Sequence, residues 1–125
     1  YDNRTTAVRI PASPSHATRI EHRVAGADSN PYLAVAALLA GIAIGIEGQL
    51  KPADPISGNA WVEDEGNPCL PANMAEAIHR FSQSDAISDT LSPAFQFAFS
   101  ELKKQELLEF ERRVTDFELE TYLAM

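Results

Sequence analysis

Residues 3 to 24 read Asn3-Arg4-Thr5-Thr6-Ala7-Val8-Arg9-Ile10-Pro11-Ala12-Ser13-Pro14-Ser15-His16-Ala17-Thr18-Arg19-Ile20-Glu21-His22-Arg23-Val24, and they decide the fold. Thr5 to Ile10 is rich in β-branched residues, and Val8 and Ile10 alternate with Ala7 and Arg9, the period-2 pattern of a strand. Pro11 to Ser15 is a turn or loop, because its two prolines fix φ and remove backbone donors. Thr18 to Val24 alternates again, with Ile20, His22 and Val24 on one face and Arg19, Glu21 and Arg23 on the other. Two such runs across a short loop predict an antiparallel pair, with the arginines on one polar face or at its end.

The charge of this segment sets it apart from the rest of the chain. The 125 residues carry a net charge of −8. The first 25 residues, with Arg4, Arg9, Arg19 and Arg23 against Asp2 and Glu21, are at +2, and the remaining 100 are at −10. An acidic chain lacks the general basic surface that binds nucleic acid through its phosphates. A short segment whose only cations are arginines is a candidate anion site, since the planar guanidinium fork matches phosphate and carboxylate oxygens. Four ordinary surface arginines are the alternative.

Working outward, Asn30 is a good N-cap and Pro31 suits the first helical position. Tyr32 to Ile46 is apolar on nearly all sides, which predicts a buried helix at 30–48. It is too short for a bilayer, which needs about 20 apolar residues. Gly41 and Gly45 share a face and would permit close backbone approach. Residues 51–72 read as a loop, with Pro52, Pro55, Pro68 and Pro71, glycines 58 and 66, an acidic tip at Glu63-Asp64-Glu65, and Trp61 as a packing anchor or a partner contact. Residues 73–125 read as helices. Asn73 caps Met74 to Phe81, Asp85 caps a short segment through Ile87, Ser92-Pro93 starts the longest helix to about Arg113, and Thr115 or Asp116 caps the last. Phe95, Phe99 and Leu102, then Leu107, Phe110 and Val114, form core stripes, and Glu109 pairs with Arg113 at i,i+4. The fold class is therefore α+β, a short antiparallel strand pair followed by a helical C-terminal region.

The single cysteine, Cys69, excludes an internal disulfide, suits a reducing compartment and places the protein in the cytoplasm as an expectation. The chain opens on Tyr1-Asp2-Asn3-Arg4 without a methionine, so we expect a piece of a longer polypeptide. His16, His22 and His79 have no second ligand at zinc spacing, and there is no Gly-rich phosphate loop and no Gly-x-Ser-x-Gly elbow. That leaves Arg19-Ile-Glu-His-Arg23. A carboxylate between two arginines either neutralises them in a structural ion network or binds a divalent metal while the arginines hold nucleotide phosphates. Both readings stand on the residues alone. Arg4 and Arg9 add a second pair of anion-binding groups.

Asn3-Arg-Thr-Thr-Ala-Val-Arg-Ile-Pro11, then Arg19-Ile-Glu-His-Arg23, then Asn30-Pro-Tyr-Leu-Ala34, closely resemble the glutamine synthetase family in order and near-spacing. Val114 to Leu123 matches its terminal Val-Thr-Asp-Phe-Glu-Leu-Glu-Thr-Tyr-Leu-like segment, so the resemblance covers essentially the whole chain as the C-terminal portion of the catalytic domain. The resemblance implies an ATP-dependent ligase. Glutamate's γ-carboxylate is phosphorylated by ATP, and ammonia or an amine then displaces phosphate, with Mg2+ or Mn2+ assisting. It implies that Arg4 lies near the ATP phosphates and the transferred group, that Arg9 and Arg19 contact the nucleotide, that Glu21 binds one divalent metal, and that Arg23 meets glutamate and its γ-phosphate. It also implies a homo-oligomeric ring of ten or twelve subunits and no membrane or nucleic-acid partner.

The sequence departs from the family pattern in three places. Thr5-Thr6 stands where many members have Ser-Ala, which resembles the branch that joins glutamate to polyamines. Ser15-His16 stands where many carry a lysine, in a loop about one residue shorter. The family's other metal carboxylates, its nucleotide-binding histidine and its ammonium-site acid belong upstream of these motifs, so the piece alone is expected to be inactive and its exposed strand edge to invite self-pairing. A non-catalytic relative, regulatory or for assembly, is the alternative function.

Overall fold

The computed structural model describes residues 3–62 and 69–123. The expected acidic tip at Glu63 to Glu65 lies outside them. The chain divides into two compact units, Tyr1–Pro68 and Cys69–Met125.

In the first unit, strand β1 (Val8–Arg9) pairs antiparallel with β2 (Glu21–His22), Val8 opposite His22 and Arg9 opposite Glu21. The antiparallel pair is the one the alternation predicts, but each strand is only two residues long. Pro11 and Pro14 cannot donate to a ladder, and the connection between them and β2 closes into a 3-10 turn at Ser15–Ala17. One further backbone bond, Arg23 N–H to the Ala7 carbonyl at 2.9 Å, extends the pairing.

Burial on the pair runs against expectation. The apolar face should be covered, yet Val8 is 53% and Ile20 45% exposed, and His22 is exposed too. Arg9 and Glu21 on the polar face are the half-buried ones. The Arg9–Glu21 ion pair takes the more protected position, with side chains 15% and 27% exposed.

Helix α1 (Pro31–Glu47) starts as predicted. The Asn30 side chain accepts from the backbone N–H groups of Tyr32 and Leu33, two donors the helix would otherwise leave unpaired, and Pro31 occupies the first turn. Its end is less ordinary. Gln49 takes φ 49°, the left-handed position that glycine usually fills, so that Leu50 N–H reaches the Gly45 carbonyl at 2.9 Å. The helix is not buried as expected. Only Ala40 is, while Val35, Leu39, Ile42 and Ile46 stay exposed, and among this unit's described residues no other α-helix is present to cover them. A Cβ built on Gly41 or Gly45 meets nothing within 4 Å, so the close approach they permit is unused among the described residues. No helix among the described residues is long and apolar enough to cross a membrane.

The second unit is helical: α2 (Met74–Ser82), α3 (Asp85–Leu91), α4 (Pro93–Glu111) and α5 (Asp116–Tyr122). Here α2 and α3 both pack on α4. Ile78 is the buried apolar residue, and the Phe99 ring lies 5.2 Å from Phe81 and 5.6 Å from Phe95. Gln96 fastens the α2–α3 junction, its amide donating to the carbonyls of Phe81 and Ser84, each at 2.8 Å. Asn73 and Thr115 cap as predicted, Thr115 within a full capping box with Glu118. At α3 the cap is Ser84 instead of Asp85, which sits in the first turn and favours the positive helix end; the helix also runs on to Leu91. The expected stripe holds at Phe95 and Phe99, but Leu102, Phe110 and Val114 are exposed. The Glu109–Arg113 pair forms at 3.3 Å.

Candidate functional site

The register of β1 and β2 builds the site. Pairing Arg9 with Glu21 puts the two side chains on one face, and the strand period adds Arg19 and Arg23 on either side of Glu21. The Glu21 carboxylate is shared between two guanidinium groups. Its Oε2 accepts from Arg9 Nε at 2.9 Å and Nη2 at 2.6 Å, and its Oε1 accepts from Arg19 Nη2 at 3.2 Å. The hydrogen bond from Arg9 is the chief reason the Glu21 carboxyl titrates below the ordinary glutamate range; the charges of Arg9 and Arg19 act in the same direction, and partial burial opposes them.

The remaining arginines are held differently. Arg23 donates from Nη2 to the Arg4 backbone carbonyl at 3.1 Å. That bond links the β2 arginine to the segment carrying Arg4, whose own side chain is exposed. Thus Arg9, Arg19 and Glu21 meet through their side chains, while Arg23 meets Arg4 through its backbone.

The free donors decide what this face does chemically. A guanidinium has five N–H groups. Arg19, its side chain 57% exposed, spends one terminal nitrogen on Glu21, and Arg23 spends one on a carbonyl. The rest of each fork faces solvent and suits phosphate or carboxylate oxygens. A divalent cation is a different matter. Glu21 is the only carboxylate of the strand pair and both its oxygens are engaged, and no group of three or more His, Cys, Asp or Glu among the described residues is placed to hold a metal. These residues fit an anion and do not by themselves make a metal site.

Asn3 and Thr5, which the sequence reading places in the Asn-Arg-Thr-Thr motif, make contacts that it does not foresee. The Asn3 amide donates to the carbonyls of Ile56 at 3.3 Å and Gly58 at 2.9 Å, and Thr5 Oγ1 accepts from Ala60 N–H at 2.9 Å. Contacts across more than 50 residues leave no trace in local pattern. The same loop presents Trp61 at 83% exposure, so the ring does not anchor the loop by packing.

Comparison with known proteins places this site in context. The sequence pattern of the family described as "Glutamine synthetase, catalytic domain" matches residues 1–122. Over 98% of its length the chain is 41% identical to a gamma-glutamylputrescine synthetase of Escherichia coli, covering 26% of that protein. It is 39% identical to a glutamate–isopropylamine ligase of a Pseudomonas species, again over 98% of the chain and 27% of the relative. A glutamine synthetase of Thermotoga maritima is 33% identical over 98% of the chain and 29% of its own length. The chain therefore spans between a quarter and a third of the length of these relatives.

Proposed function

The chain belongs to the glutamine synthetase catalytic-domain family, and on that premise we propose that it forms one wall of the active site of an ATP-dependent ligase joining glutamate to an amine. The observation that carries this reading is the polar face of β2, where Arg19 and Arg23 hold open guanidinium donors on either side of a carboxylate that Arg9 pins in place.

In the reaction, an oxygen of glutamate's γ-carboxylate attacks the γ-phosphorus of ATP, ADP leaves, and γ-glutamyl phosphate forms. The amine then attacks the acyl carbon, and phosphate leaves with the electron pair of the broken C–O bond. Negative charge spreads over the transferring phosphoryl oxygens, and fixed guanidinium groups stabilise it without reorganising. We assign Arg9 and Arg19 to the nucleotide phosphates, Arg4 to the transferred phosphoryl group, and Arg23 to the glutamate end. Glu21 keeps Arg9 and Arg19 apart and oriented. It would offer a remaining oxygen lone pair to a divalent metal beside its guanidinium bonds, and the other ligands would come from outside this strand pair.

The relatives named for putrescine and isopropylamine favour an alkyl amine or diamine over ammonia as acceptor, as the Thr5-Thr6 variant suggests. The protein carrying this chain, given ATP, Mg2+ and glutamate, is expected to release ADP on addition of putrescine or isopropylamine more readily than with ammonia, and residues 1–125 alone to release none. Absence of glutamate- and amine-dependent ADP release from the protein carrying this chain rejects the reading. A cytoplasmic ring of ten or twelve copies belongs to the same proposal, and sedimentation of that protein checks it.

A further inference from the structure

The Asn3 and Thr5 side chains bracket Arg4 and reach across to the loop at 56–60. Asn3 uses its whole amide. Its Oδ1 accepts from Thr5 N–H at 2.9 Å and from the Thr5 hydroxyl, and its Nδ2 donates to the Ile56 and Gly58 carbonyls. The Thr5 hydroxyl in turn accepts from Ala60 N–H. Gly58 sits at φ 88°, a left-handed conformation that turns its carbonyl into the Asn3 amide and that a side chain would strain. Beyond it, Asn59 closes a turn. Its Oδ1 accepts from Trp61 N–H at 3.1 Å and its carbonyl from Val62 N–H at 3.0 Å. A continuous chain of hydrogen bonds and covalent links thus runs from Arg23 through the Arg4 carbonyl to Asn3 and Thr5, and from them to the turn that presents Trp61.

We propose that Asn3 and Thr5 are positioning residues that lock the 56–62 loop to Arg4, so that the exposed Trp61 ring and the arginine face form one unit. Neither residue touches substrate. They act by fixing where Arg4 and the loop stand relative to each other. An exposed indole carried by a loop that is tied to the Arg4 segment offers a face for an amine acceptor's alkyl chain or its ammonium form. That last role rests on the ligase reading; the coupling does not.

Amide hydrogen exchange on the full 125-residue chain separates the two, comparing Thr5→Val, Asn3→Asp and Thr5→Ser. Thr5→Val removes the acceptor for Ala60. Asn3→Asp removes the donor to Ile56 and Gly58 while keeping the oxygen that Thr5 uses. Each is expected to speed exchange at the Trp61 and Val62 amides about three- to tenfold, the effect of losing one modest hydrogen bond, with the amides of α4 unchanged. Thr5→Ser keeps the hydroxyl and is expected to exchange as the parent does. Unchanged rates at Trp61 and Val62, equal acceleration by Thr5→Ser and Thr5→Val, or acceleration that spreads to α4 would each overturn the coupling. In the protein carrying this chain, Thr5→Val is expected to raise KM for the amine about tenfold, with Thr5→Ser restoring it. A protein without ligase turnover would remove the substrate role and leave the exchange result to decide the coupling.

Discussion

Glu21 is where the chemistry of single residues is most exposed to test. Its carboxyl is held below the ordinary glutamate range, first by the hydrogen bond from Arg9. A group with a lowered folded-state pKa adds stability that is present above its unfolded pKa and lost as pH falls through the folded one. The Arg9–Glu21 contribution is therefore intact at neutral pH and disappears only below the ordinary glutamate range. Replacing Arg9 with Gln removes the main cause, so the Glu21 titration followed by carboxyl NMR is expected to move up toward the ordinary value. An unmoved titration would mean that Arg19 holds the carboxylate alone. The residues of this face were legible from alternation, because period 2 needs only local sequence. What was not legible is that Arg9 and Glu21 are half-buried while the apolar Val8 and Ile20 are exposed. Alternation says which side chains share a face, and only tertiary contacts say which face is protected.

At the scale of elements, helix starts were read well because their signals are local. Asn30-Pro31, Asn73, Ser92-Pro93 and Thr115 each place a side-chain acceptor over the first free N–H groups. The α3 cap was misplaced by one residue because Ser84 and Asp85 are both good caps, and the sequence does not say which one adopts the extended backbone. Ends are harder. Gln49 and Ser92 take positive φ without being glycine, and no propensity rule marks them. The apolar α1 states what it needs but not which part of the polypeptide covers it, and the described residues of its own unit leave most of it exposed. A specific test follows from its glycines. Gly41 lies in the helix interior with open space where a Cβ would stand. Gly41→Ala is expected to stabilise the 125-residue chain by about 0.5–1 kcal/mol in urea unfolding, through a smaller loss of backbone entropy. Destabilisation would show that another polypeptide surface packs on that face.

At the scale of the whole molecule, an arginine-bearing strand pair belongs to one unit of a glutamine synthetase-family chain and a helical group to the other. The ordered motifs carried the family, because each is a short run with its chemistry in adjacent residues. The metal role assigned to Glu21 needs ligands from outside the strand pair, whose one carboxylate already accepts from two arginines. The central claim is that glutamate's own carboxylate takes the phosphoryl group and that phosphate is later displaced by the amine. Oxygen-18 placed in the γ-carboxylate of glutamate follows that step directly. With ATP, Mg2+ and putrescine supplied to the protein carrying this chain, the account predicts inorganic phosphate bearing one labelled oxygen for every amide formed, seen by mass spectrometry or as an isotope shift in 31P NMR. Amide or ADP formed alongside unlabelled phosphate would contradict it.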